Sequence, residues 1–147
     1  MKNNKFVGPV YKESEAFILA NFYEKSTHSI LYIGKDDIEI NSIANKLKWL
    51  FPNDLIFTFR SWDQIPYDLV SPSKEIQLER IKTLYYLHST NKKKIVLTTI
   101  NAVIQKTLYK DFILKNSFEI CEDKKINFND LISKLLLLGY ERTSVVR

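Results

Sequence analysis

The sequence predicts an α/β fold, with a parallel sheet between two layers of helices. Three observations lead there. Ser29–Ile33, Leu55–Phe59 and Ile95–Thr99 are short apolar runs rich in β-branched or aromatic residues, as strands buried on both faces are. Stretches with apolar residues at helical spacing separate them, and alternation of this kind implies a parallel sheet covered on both sides. The chain has 147 residues, 45% of them hydrophobic, enough for the core of one domain or of one domain and the start of a second.

Each element has its own signal. Residues 13–25 place apolar side chains at 16, 17, 19, 20 and 23, a helix with a broad buried stripe. Ser29–Ile33, stopped by Gly34, reads as a buried strand. Residues 37–51 set Ile40, Ile43, Ala44, Leu47, Leu50 and Phe51 at helical spacing, and Pro52-Asn53 ends that helix. Leu55–Phe59 is the second strand, followed by an irregular stretch from Arg60 to Ser73. Ser73 is a candidate N-cap for a helix from Lys74 to His88 with Ile76, Ile81, Leu84, Tyr85 and Leu87 facing inward. The polar run 89–94 leads into the third strand, Ile95–Thr99, and a short helix over 100–106. From Asn116 the texture changes. Phe118–Cys121 reads as a strand in a different environment, and Phe128–Leu138 as a helix closed by Gly139 at the C′ position. Residues 140–146 read as the start of a strand. The expected division is an α/β domain over 1–115 and the start of a small α+β domain over 116–147.

Composition narrows the function. A net charge of +5 favours contact with nucleic acid or an acidic protein surface. A single cysteine, Cys121, cannot form an intramolecular disulfide and reads as a core or edge residue. The basic first residues are followed by Gly8, Pro9, Lys12 and Glu13 rather than an apolar stretch, so no signal peptide is expected and the default location is cytoplasmic.

A phosphate-binding loop needs Gly-x-x-x-x-Gly-Lys-[Ser/Thr], because backbone N–H groups must reach the phosphates unobstructed. Gly34-Lys35 has Ser29 in place of the first glycine and Asp36 in place of the magnesium-binding hydroxyl, and an acid there repels phosphate. His28, His88 and Cys121 share no metal-ligand spacing, and Cys121 has no histidine close in sequence. The expectation is therefore a chain without catalytic, cofactor-binding or metal-binding residues. Lys92-Lys93-Lys94 and Lys124-Lys125 have two readings, a solvated loop or weak contacts to DNA phosphates in a free-standing basic module.

The most informative stretch runs from Ser61 to Pro72. It leaves a parallel strand at its carboxyl end, where α/β proteins place ligand and partner sites. Trp62 and Tyr67 either fasten this loop to the core or form part of an interdomain or partner surface.

At this loop the chain resembles the N-terminal region of the bacterial transcription-repair coupling factors. That family has a strand, then Trp-[Asp/Glu]-x-[Leu/Ile]-Pro-Tyr-Asp-x-x-Ser-Pro, then a helix containing an Arg-Leu-x-Thr-Leu-like run. The matching residues are Trp62, Asp63, Ile65, Pro66, Tyr67, Asp68, Ser71 and Pro72, then Glu79-Arg80-Ile81-Lys82-Thr83-Leu84. Ile95–Thr99, Asn101–Lys106 and Leu138–Arg142 fit as well, so the resemblance covers about residues 8–147.

The resemblance implies a RecA-like domain similar to domain 1a of the repair protein UvrB, with its ATP-binding residues lost. A small second domain follows it and binds the repair protein UvrA through arginines, one of which matches Arg142. Family members continue into further UvrA-contacting residues, an RNA-polymerase-binding domain and an ATP-driven DNA translocase, whereas this sequence stops at Arg147. The expectation is thus a non-catalytic N-terminal part of such a protein, whether an excised piece, a split gene or a gene remnant.

Overall fold

The structure, a computed structural model, describes residues 6–64, 71–122 and 125–143. A 3-10 turn (Lys12–Ser14) leads into α1 (Glu15–Lys25), β1 (Ile30–Gly34), α2 (Asp37–Leu50), β2 (Leu55–Phe59) and α3 (Lys74–Ser89). Then come β3 (Lys94–Thr99), α4 (Ile100–Val103), α5 (Lys110–Asn116) and α6 (Phe128–Leu137). The three strands form one parallel sheet in the order β1-β3-β2. Ile30, Ile95 and Ile56 lie abreast in its register, and Leu31, Val96 and Phe57 form the next row, on the opposite face.

The first face carries most of the core. Ala16, Leu19, Ala20 and Tyr23 of α1 and Ile40, Ile43, Ala44 and Leu47 of α2 close over Ile56, Ile95 and Leu97. These are the apolar positions that helical periodicity selects, except that Phe17 stays exposed. Asp36 caps α2, its Oδ1 accepting from Glu39 N at 2.8 Å. Gly34 ends β1 where α2 comes closest. A Cβ there would stand 2.6 Å from Cγ2 of Ile40, so only glycine permits this strand–helix approach.

The second face is smaller and more polar. Phe59, Val96 and Ala102 pack with Leu84 of α3, and the Phe57 ring stacks on Tyr86 with centroids 5.2 Å apart. Ser73 caps α3 as expected, its Oγ accepting from Ile76 N. The inward side of α3 differs from the expectation. Ile76, Arg80 and Thr83 are buried, whereas Ile81 and Leu87 are exposed. The underlying sheet offers polar groups, and α3 answers them: Thr83 Oγ1 donates to the Thr58 carbonyl at 3.0 Å. Apolar periodicity cannot select a helix face matched to carbonyls and hydroxyls.

The expectation of a sheet covered on both faces also fails at one strand. Leu31 and Ile33 of β1 are 60% and 50% exposed. Both lie on the face where α3 packs against β2, so that layer does not reach the far edge of the sheet.

Toward the carboxyl end, α4 is shorter than expected. It stops at Val103, and Gln105 N turns back to the Ala102 carbonyl. The unexpected α5 packs against α3. Phe118–Cys121 forms no strand, because its backbone finds no ladder partner among the described residues, and Cys121 is exposed rather than in the core or at a sheet edge. Residues 140–143 have no regular structure, and the rest of that expected strand lies outside the described residues. α6 ends as its glycine predicts. Gly139 has φ +89°, its N–H bonds to the Leu136 carbonyl and Tyr140 N to the Leu135 carbonyl. Among the described residues, no helix is long and apolar enough to cross a membrane.

Candidate functional site at the carboxyl edge of the sheet

A parallel sheet brings the carboxyl ends of all its strands to one edge, together with the N-termini of the helices that follow. Here β1 exits through Gly34-Lys35-Asp36, β2 through Arg60-Ser61-Trp62, and β3 directly into α4.

At the first exit the chain caps itself. A helix N-terminus attracts anions through its free N–H groups and its dipole. On α2 the Asp36 carboxylate takes that place, with Asp37 and Glu39 in the same turn. Tyr32 Oη donates to Glu39 Oε1 at 2.7 Å; burial, and then this bond, push the phenol above its ordinary pKa. Burial likewise raises Asp37, opposed by the nearby Arg60 cation. A phosphate arriving at this turn would meet carboxylates and a backbone donor already in use.

The second exit is built around a buried cation. Arg80 is only 2% exposed, and its guanidinium lies between the rings of Phe59 and Trp62, 4.1 and 4.2 Å from their centroids. Its Nη1 donates to the Arg60 carbonyl at 2.5 Å and to Gln105 Oε1 at 3.1 Å. The same Gln105 oxygen accepts from Trp62 N at 3.1 Å, so one side chain joins the β2 and β3 exits. Nη2 of Arg80 is buried without a partner, and among the described residues no carboxylate pairs with this side chain. Burial lowers its pKa.

A second arginine closes the outer side. Arg60 Nε donates to Glu79 Oε2 at 2.6 Å and its Nη2 to Glu75 Oε1 at 2.9 Å, while Thr58 Oγ1 donates to the other Glu79 oxygen. The bond to Glu79 is the main reason Arg60 holds its proton more tightly than usual.

Several residues selected from the sequence meet here. Trp62 stacks on Arg80, the reading in which it fastens the loop to the core. Asp63 accepts from Ser73 N at 3.1 and 3.3 Å, which ties the two ends of the loop together and holds its carboxyl below the usual range. The Pro72 carbonyl accepts from Gln77 Nε2 at 2.7 Å, and Ser71 is exposed. Pro66, Tyr67 and Asp68 lie outside the described residues.

The lysine run is not a free cationic surface. Lys94 is 4% exposed, and its Nζ donates to the Tyr86 carbonyl at 3.1 Å and the Thr90 carbonyl at 2.5 Å, satisfying the end of α3. The Lys93 ammonium stands 3.8 Å over the Tyr23 ring and donates to the Tyr23 carbonyl. Lys92 is exposed, so the expectation of a three-lysine DNA contact reduces to one outward cation at this run. Arg142 is exposed at the rim of a groove of about 290 Å³ lined by Phe128, Ile132, Leu135 and Tyr140.

Arg60, Glu79 and Gln105 carry much of the network at the carboxyl edge, and Lys94 closes the end of α3 at the other edge; sequence reasoning assigned them no such roles. Arg60 had a signal, a cation closing an apolar strand. Gln105 had none, since its role depends on how far α4 extends.

No family model matches the chain. Curated proteins do match it, among them several transcription-repair-coupling factors. That of Borreliella burgdorferi is 30% identical over 130 residues, 88% of this chain. That of Rickettsia bellii is 28% identical over 128 residues, 87% of this chain, and that of Haemophilus influenzae 23% over 144 residues, 98%. The chain spans only 11 to 12% of the length of these relatives.

Proposed function

With the chain matched to the N-terminal region of the transcription-repair-coupling factors, we propose that it is the non-catalytic protein-docking part of such a factor, serving DNA repair coupled to transcription. In this reading residues 1–115 are a degenerate RecA-like domain, similar to UvrB domain 1a, and residues 116–147 begin a second domain that recruits UvrA. RNA polymerase and DNA are contacted by other parts of the longer protein, whose motor this region restrains.

One observation carries the non-catalytic part: the N-terminus of α2, where a nucleotide phosphate would sit, is capped by the Asp36 carboxylate. Arg142 supports the docking part, because an exposed guanidinium beside an apolar groove suits a protein partner that offers a carboxylate.

Calorimetric titration with purified UvrA tests the recruitment. The expected result is binding that Arg142→Ala weakens about tenfold or more, the loss typical of one interface ion pair. Unchanged affinity in the variant would exclude Arg142 from the contact.

A further inference from the structure

We draw no further inference here: the strongest candidate, the cavity of about 400 Å³ at the amino edge of the sheet between the ends of α1 and α2 and the Lys92-Lys93 turn, carries nothing, because Glu24 and Asp54 offset its two lysines and nothing in the structure shows what covers it.

Discussion

Arg80→Ala is expected to cost about 3–5 kcal/mol of folding stability, as large a loss as single substitutions commonly give. The side chain fills the space between Phe59 and Trp62 and supplies the donor for both the Arg60 carbonyl and Gln105. Truncation therefore combines a cavity with the loss of the donor to the part-buried Arg60 carbonyl, while Gln105 Oε1 keeps its bond from Trp62 N. One term opposes these: a buried guanidinium without a carboxylate is costly to desolvate, and removing it recovers that cost. Arg80→Met separates the two effects. It keeps a long apolar stem between the rings and removes the charge, so its expected cost is smaller, about 1–2 kcal/mol, from the Arg60 carbonyl that loses its donor. Urea unfolding followed by tryptophan fluorescence reads both variants, since Trp62 lies against the substituted side chain. An Arg80→Ala chain within about 0.5 kcal/mol of wild type, the range of neutral surface changes, would show that the cage does not hold the β2 exit.

Lys94→Met should cost about 2–3 kcal/mol, whereas Lys92→Met, two residues away, should stay within about 0.5 kcal/mol. The difference follows from burial. The Lys94 ammonium satisfies the Tyr86 and Thr90 carbonyls at the end of α3, and methionine fills its volume but donates nothing. Lys92 is exposed. The same pair distinguishes the role of the run. If Lys92 to Lys94 formed a DNA-binding surface, the two substitutions would weaken DNA binding alike and leave stability alike. Equal stabilities would contradict the structural role given to Lys94.

The fold was legible to the extent that apolar periodicity determines it. All three strands, α1, α2 and the α3 cap follow from local pattern and turn chemistry, because their buried faces are apolar. Legibility fails where polar groups are buried. Arg80 and Thr83 replace Ile81 and Leu87 on the inward side of α3 because the strand ends beneath present carbonyls and hydroxyls. Lys94 looks like one of three surface lysines, and only the position of the α3 terminus shows otherwise. Part of the site was readable through the family motif, which selected Trp62, Asp63 and Arg80 together; the structure supplies the reason, a cage and a Ser73 tether that hold the loop ends. Gln105 escaped because its contacts are made across 25 and 43 residues of sequence.

The proposed role as a non-catalytic docking part requires that the carboxyl edge of this sheet take up no nucleotide. Titrating the folded chain with ATP and magnesium in a calorimeter tests it most directly. No heat of binding is expected, since Asp36, Asp37 and Glu39 occupy the end of α2 that would otherwise receive phosphate. Micromolar, magnesium-dependent binding would contradict the non-catalytic role.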